Sequence, residues 1–183
     1  MHKLAALGDS LTMGFCSGAI YETQYSYPAM IARALGASES FRAPAFNIDG
    51  GETGGFPLNL ETLLRMLEKH YPHGLNPIKF AGSLLTINSF MHSVEKFWER
   101  GPWFHAEAKP FNNLAVLSYT VQEVCRLSAD ICARVTAHPK NQFILFDQIP
   151  EYPMYRATLA TLASKQEQTT ALSRLEQLCK SGR

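Results

Sequence analysis

The sequence has no concentration of charge of one sign. Its 183 residues include 17 lysines and arginines against 16 aspartates and glutamates, which gives a formal net charge of +1, and neither sign forms a block. Proteins that bind nucleic acid or anionic membranes carry clusters of basic residues. We therefore expect no nucleic-acid partner, and a neutral ligand fits the charge balance.

Long hydrophobic runs are also missing. No apolar run approaches the roughly 20 residues that are needed to span a bilayer. Residues 1–3 lead directly into the short apolar run at residues 4–7, without the pattern of a secretory signal peptide. We therefore expect no membrane span and a cytoplasmic location.

Features of metal and cofactor sites are absent as well. The four cysteines show no C-x-x-C spacing, and no cluster of histidine, cysteine and carboxylate has the spacing of metal ligands. The glycine-rich stretch at residues 49–55 is not followed by the Gly-Lys-Ser/Thr of a phosphate-binding loop. We expect free thiols, no metal and no organic cofactor.

What remains is the composition of an ordinary globular domain. The chain is 46% hydrophobic and 18% charged and contains no repeat or proline-rich linker, so we expect a single domain over residues 1–183. Apolar runs at residues 4–7 and 113–117 indicate strands buried on both faces, and a third is expected at residues 143–146. Strands of this kind alternating with helices predict an α/β fold with a central parallel sheet.

Helical patterns lie between and after these runs. Pro28 is suited to a first helical position and Gly36 to a left-handed stop. Ser164 and Glu167 form a capping-box pattern before a leucine-rich segment. The predicted helices cover residues 28–35, 58–70, 84–99, 121–137 and 164–178.

A candidate nucleophile follows the first apolar run. A serine hydroxyl is a weak nucleophile, so an enzyme that uses one presents it on a sharp turn beside donors for the oxyanion. Gly8 permits a tight exit from the strand, Asp9 would shape the turn, and Ser10 would lie at a helix amino end where backbone N–H groups are free. A simpler interpretation is that Asp9 or Ser10 is only a helix N-cap.

Two segments carry a family resemblance. Residues 6–14 (ALGDSLTMG) look like the first conserved block of the SGNH (GDSL) serine ester hydrolases, and residues 113–121 (NLAVLSYTV) resemble the strand and turn of the second block. The resemblance implies a flavodoxin-like three-layer fold and hydrolysis of small-molecule carboxylic esters without a cofactor. It implies that Ser10 is the nucleophile and that the amides of Ser10 and Ser118 bind the oxyanion.

The chain departs from that family in three places. Ser118 occupies the position of the family's oxyanion-hole glycine, and the Gly-x-Asn-Asp and Asp-x-x-His blocks, which supply the third oxyanion donor and the general base, do not occur in the sequence. None of the six histidines has an aspartate three residues before it. We therefore expect a truncated and incomplete member of the fold, crippled in activity, that self-associates through an exposed sheet edge. The alternative is a non-catalytic binding protein that retains the pocket.

Overall fold

Helices form most of the described structure. The computed structural model describes residues 4–46, 55–74, 77–100, 110–137, 152–162 and 168–181. Within these residues, the paired strands form one small antiparallel sheet. The prediction of a flavodoxin-like α/β fold with a central parallel sheet is therefore wrong.

The helices and strands follow one another in a simple order. The α-helices of the described residues are α1 (Ser10–Met13), α2 (Tyr27–Ala34), α3 (Leu60–His70), α4 (Pro77–Arg100), α5 (Val121–Arg126), α6 (Ala129–Thr136), α7 (Pro153–Leu162) and α8 (Ala171–Lys180). The strands are β1 (Phe15–Cys16), β2 (Ala19–Ile20) and β3 (Phe56–Pro57). Short 3-10 turns lie at Thr23–Tyr25 and Ser38–Ser40.

The sheet is a hairpin with one added strand. Its order is β1-β2-β3, with Cys16 opposite Ala19 and Ile20 opposite Phe56. The hairpin loop consists of Ser17 and Gly18, and both have positive φ, at 52° and 83°. Positive φ at both central residues is what a two-residue hairpin loop of the type I′ class requires.

The predicted parallel strands are reduced to a short contact. Residues 4–7 and 113–117 meet in a single parallel bridge between Ala6 and Asn113. The apolar run at residues 114–117 is buried, as expected, whereas residues 4–7, for which burial was also predicted, are only partly buried. An unbroken apolar run predicts that the segment is buried, but it does not predict whether helices or neighbouring strands bury it. The third predicted strand, residues 143–146, lies outside the described residues.

Helix α2 is confirmed, but its apolar stripe faces outward. Pro28 lies in the first turn and Gly36, at φ 68°, follows the helix end. Met30, Ile31 and Leu35 are 57%, 44% and 54% exposed. The helix instead buries Pro28 and Ala32, whose small side chains allow a close approach to the rest of the fold.

The remaining helices differ from the predictions mainly at their ends. Helix α3 is confirmed, whereas α4 begins seven residues before residue 84, where its helix was predicted to start. The predicted helix at residues 121–137 is two helices, because the Ser128 side chain accepts a hydrogen bond from Ile131 N–H and starts α6.

The last two helices show what the sequence patterns missed. The capping box predicted at Ser164–Glu167 lies outside the described residues, and the box that opens α8 is formed by Thr170 and Ser173. Helix α7 was not predicted.

A cluster of buried side chains joins α1, β2, β3, α4, α6, α7, α8 and the run at residues 114–117. It includes Met13, Ile20, Phe56, Phe90, Val94, Leu114, Val116, Cys132, Ala157, Leu162 and Ala171. In the part of the chain that the structure describes, no helix combines the length and apolar character of a bilayer span.

Candidate functional site

The candidate site lies where two chain segments end side by side. Residues 4–8 and 112–116 run parallel, and the bridge between them is flanked by backbone hydrogen bonds. These run from Ala6 N–H to Asn112 O (2.8 Å), from Leu114 N–H to Ala6 O (2.8 Å) and from Val116 N–H to Gly8 O (3.2 Å). Because the two segments run in the same direction, their carboxyl ends, and the turns after them, lie at the same edge.

Ser10 comes after the first of these segments, at a helix start. It is the first residue of α1, and the carboxylate of Asp9, the N-cap, accepts a hydrogen bond from Leu11 N–H at 3.2 Å. The N-cap interpretation is therefore confirmed for Asp9, and it leaves Ser10 inside the first turn. Ser10 is partly buried. Within the described residues, neither its hydroxyl nor its N–H has a hydrogen-bond partner.

Gly8 permits the close approach of α1 to the segment before it. A Cβ added at Gly8 would lie 2.1 Å from Thr12 Oγ1 and 2.7 Å from Thr12 Cβ. Gly8 does not have a positive φ, so the turn does not need a glycine for its backbone conformation. It needs one because a Cβ at this position would overlap Thr12. Any side chain at this position would push α1, and Ser10 with it, away from residues 4–8.

Ser118 ends the second segment in the left-handed region. Its φ is 63°, a conformation that costs a residue with a Cβ roughly 1 kcal/mol relative to glycine. The residue is exposed, and its N–H has no hydrogen-bond partner within the described residues. The edge therefore carries two free backbone donors, one at Ser10 and one at Ser118. We call this edge, with the turns at Ser10 and Ser118, the corner.

Tyr119, the residue after Ser118, anchors this turn to α7. It is 9% exposed, and its hydroxyl is hydrogen-bonded to the Thr158 hydroxyl of α7 at 3.0 Å. Burial raises the pKa of Tyr119 far above its ordinary value. Burial also raises the pKa of the Cys132 thiol, which adjoins Thr158, to about 12. These groups are neutral at any ordinary pH and act as packing and hydrogen-bonding groups.

Asn113 joins the second segment to α1. Its side chain is almost fully buried and donates to Thr12 O at 2.9 Å. The sequence patterns assigned no role to Asn113 or Tyr119. The signal for Asn113 was present, since an amide beside the apolar run at residues 114–117 needs buried partners. The partner of Tyr119, on a helix not predicted, left no signal in the sequence.

The histidines of the described residues do not complete a catalytic pair with Ser10. His70 Nδ1 is 2.8 Å from Met66 O in its own helix. His92 Nδ1 is 3.3 Å from the buried Glu95 carboxylate, also in its own helix. His73 is exposed. His2, His105 and His138 lie outside the described residues.

The cysteines and carboxylates do not form a metal centre in the described part of the chain. No group of three or more metal-ligating side chains comes together among those residues. All four cysteines are free thiols, as expected, and only Cys132 is buried.

Comparison of the chain with models of protein families, with curated proteins and with solved structures found no match.

Proposed function

We propose that Ser10 is the nucleophile of a serine ester hydrolase and that a small, neutral carboxylic ester is its substrate. The observation that carries this proposal is the pair of free N–H groups at Ser10 and Ser118, at the edge where a partly buried serine hydroxyl has no partner within the described residues. Unpaired backbone donors beside a nucleophile are what an oxyanion requires. The resemblance of residues 6–14 to the first SGNH block supports the same assignment.

The reaction would proceed in two steps, which are formation of an acyl-serine and its hydrolysis. Ser10 Oγ forms a bond to the ester carbonyl carbon, its proton passes to water, and the carbonyl oxygen becomes an oxyanion held by the two amides. The C–O bond to the alcohol then breaks, the alcohol leaves with a proton from water, and hydrolysis of the acyl-serine regenerates Ser10. A site without an imidazole base loses several orders of magnitude in rate. We therefore expect slow turnover from this chain.

A second candidate is a non-catalytic binding protein that uses the same corner. It is favoured by His70 and His92, whose ring nitrogens contact groups of their own helices, and by Ser118 at the family's glycine position. The two amides would then bind a carbonyl or carboxylate oxygen of a ligand without bond cleavage.

Turnover of p-nitrophenyl acetate separates the two candidates. We expect slow hydrolysis that is lost in Ser10→Ala and kept in Ser17→Ala, the matched control, because Ser17 is also a serine on a surface turn. Hydrolysis that is unchanged by Ser10→Ala would contradict the enzyme proposal. Binding of an ester analogue without any turnover would support the binding protein.

Partners and location belong to the same proposal. The edge of residues 4–8 that faces away from residues 112–116 carries the amides of Ala5 and Leu7, which have no hydrogen-bond partner within the described residues. An extended segment with free amides can pair with another chain in the way that a free strand edge does. We propose self-association through this edge, and a cytoplasmic setting in which the free thiols stay reduced. Concentration-dependent size-exclusion chromatography tests the first point, and a concentration-independent monomer would contradict it.

A further inference from the structure

The helix that carries Ser10 is too short to hold its own position. Helix α1 has four residues, and its backbone hydrogen bonds run from Met13 N–H to Asp9 O at 3.0 Å and from Gly14 N–H to Ser10 O at 3.1 Å. A single helical turn is unstable by itself in water. Its orientation, and that of Ser10, must therefore come from contacts with other parts of the chain.

Asn113 supplies such a contact at the carboxyl end of α1. Its Nδ2 donates to Thr12 O at 2.9 Å, and this carbonyl lies at the helix end where no intrahelical donor is available. Its Oδ1 accepts from Ala115 N–H at 3.2 Å. The side chain is 1% exposed, so no water competes for these bonds.

The same residue belongs to the segment that leads to Ser118. Asn113 is bridged to Ala6, and Val116, three residues later, bonds to Gly8 O. Its side chain therefore fixes α1 against the backbone that presents the second amide. A loss of this bond would let Ser10 move relative to Ser118 without removing either residue.

We infer that Asn113 is a positioning residue, which sets where α1 presents the Ser10 hydroxyl relative to the amide of Ser118. This inference rests on the proposed role of Ser10 as nucleophile. Asn113 acts through Thr12 and does not touch the reacting atoms. A misplacement of about 1 Å at a reacting group lowers rates by up to roughly a hundredfold.

Asn113→Asp provides a pH-dependent test, which is measured per folded molecule so that a loss of stability does not enter the result. The carboxyl group keeps the shape of the amide, but its ionised form has no proton to donate to Thr12 O. Its protonated form can donate, and burial raises the pKa of a carboxyl group above its ordinary value. The missing bond should therefore re-form as the pH falls.

The readout is the covalent labelling of Ser10 by a fluorophosphonate probe, per folded molecule. In Asn113→Asp at pH 8 we expect the maximal labelling rate to fall roughly tenfold to a hundredfold, with the probe's binding constant unchanged. The ratio of variant to wild-type rate should rise toward one by about pH 5. Asn113→Ser, which has no titrating group and cannot reach Thr12 O, should label slowly at both pH values.

Asn112→Asp is the matched control. Asn112 is the neighbouring residue, and its side chain accepts from Arg42 N–H at 3.0 Å and donates to Leu4 O at 3.2 Å, with no contact to α1 in either bond. We expect its labelling rate to equal that of the wild type at every pH. Equal slowing in Asn112→Asp, or wild-type rates in both Asn113 variants, would overturn the inference.

Amide hydrogen exchange separates this inference from the proposed function. In Asn113→Ser the amides of Met13 and Gly14 should exchange about tenfold faster than in the wild type, whether or not Ser10 reacts. Unchanged exchange would overturn the positioning role itself. A folded wild type that is never labelled at Ser10, with faster exchange in the variant, would overturn the proposed function and leave Asn113 as a tether of α1 only.

Discussion

Two turns of the chain hold a serine in the left-handed region, and they reach that conformation in different ways. Ser17, at φ 52°, lies in the hairpin loop between β1 and β2, where Cys16 and Ala19 pair across it. Ser118, at φ 63°, lies between the buried residues 114–117 and α5 and closes no hairpin. Local strand pairing thus accounts for Ser17, whereas Ser118 lies in a turn that the hydrogen bond from Tyr119 N–H to Val116 O (3.2 Å) closes and that the hydroxyl of Thr158, from a distant part of the chain, supports through Tyr119.

The side chains around the two turns differ in burial. The Ser17 hydroxyl donates to Glu61 Oε2 at 3.3 Å, next to an exposed ion pair between Glu61 and Arg65. The turn at Ser118 is followed instead by a buried contact, between the Tyr119 and Thr158 hydroxyls. Hydrogen bonds contribute more where water and its dielectric screening are excluded. We therefore expect the turn at Ser118 to be the more tightly fixed of the two turns.

Thiol reactivity should show the largest difference between the turns. Cys132 adjoins the Thr158 anchor, and burial raises its pKa from 9.0 to about 12, which lowers its thiolate fraction at pH 8 about 1,000-fold. Cys16, beside Ser17, is exposed. We expect iodoacetamide to modify Cys16 at least about 100-fold faster than Cys132 in the folded protein. Site-resolved mass spectrometry measures both rates, and the urea-unfolded chain is the control.

The same raised pKa predicts how stability depends on pH. Because the Cys132 thiol ionises more readily in the unfolded chain, the stability from its neutral burial is fully present below about pH 9 and is lost as the pH rises toward 12. Cys132→Ala should flatten this part of the dependence of the free energy of unfolding on pH.

Equal rates of iodoacetamide modification at Cys16 and Cys132 in the folded state would contradict the thiol prediction, which rests on the difference in burial between the turns.

Gly8→Ala should be the most destabilising single change at the corner. The new Cβ would overlap the Thr12 side chain, so we expect a loss of about 2 to 3 kcal/mol in the free energy of unfolding. Gly36→Ala is the control, because nothing lies within 4 Å of its Cβ position and only its positive φ is strained, at roughly 1 kcal/mol. Urea unfolding measures both. A smaller loss at Gly8 than at Gly36 would show that the corner is not closely packed.

Removal of one tyrosine hydroxyl near each turn compares the two turns. Tyr119→Phe leaves the buried Thr158 hydroxyl without this partner, and we expect a loss of about 1 kcal/mol. Tyr21→Phe, near the hairpin, should stay within about 0.5 kcal/mol of the wild type, since Tyr21 is only partly buried. Thermal unfolding of the two variants checks this order, and the reverse order would contradict it.

Ser118→Gly should have the smallest effect on stability. It relieves the left-handed strain but adds freedom to the unfolded chain, so we expect a net gain of about 0.5 kcal/mol or less. Ser17→Gly is the parallel change in the hairpin and should behave alike, apart from its weak contact with Glu61. Ser118→Gly should also leave the labelling of Ser10 at least as fast as in the wild type. A clear loss of stability in Ser118→Gly alone would show that the serine side chain supports the turn.

Local sequence signals predicted local structure well. Pro28 and Gly36 bracketed α2, the leucine spacing located α3, and the apolar run at residues 114–117 is buried. Each of these features depends on a few neighbouring residues, whose propensities act directly on the backbone. The signals did not predict which distant segment packs against a given apolar run.

The prediction of a parallel sheet failed for that reason. The apolar runs at residues 4–7 and 113–117 do meet, but they form one bridge and no extended ladder. Burial of a run does not specify which element covers it, and in this chain helices cover much of the core. The outward stripe of α2 shows the same limit, since periodicity identifies an amphipathic face but not its partner.

At the candidate site, the sequence predicted residues but not their support. Gly8, Asp9, Ser10 and Ser118 were selected from short motifs, and the first three lie at one turn because they are adjacent in the chain. Asn113 and Tyr119 act through Thr12 and Thr158, partners 101 and 39 residues away. Contacts over such separations are set by the fold, so a local pattern can indicate that Asn113 needs a buried partner but not which residue that partner is.

The most direct test of a nucleophile at this corner is to map where a fluorophosphonate probe attaches to the folded wild-type chain. Peptide mass spectrometry distinguishes Ser10 from Ser17 and Ser118 in one digest. We predict an adduct on Ser10, none on the other two serines, and no adduct when the chain is unfolded in urea before the probe is added. Labelling of all three serines to the same extent, or of none while a general serine-reactive control protein is labelled, would contradict the assignment of Ser10.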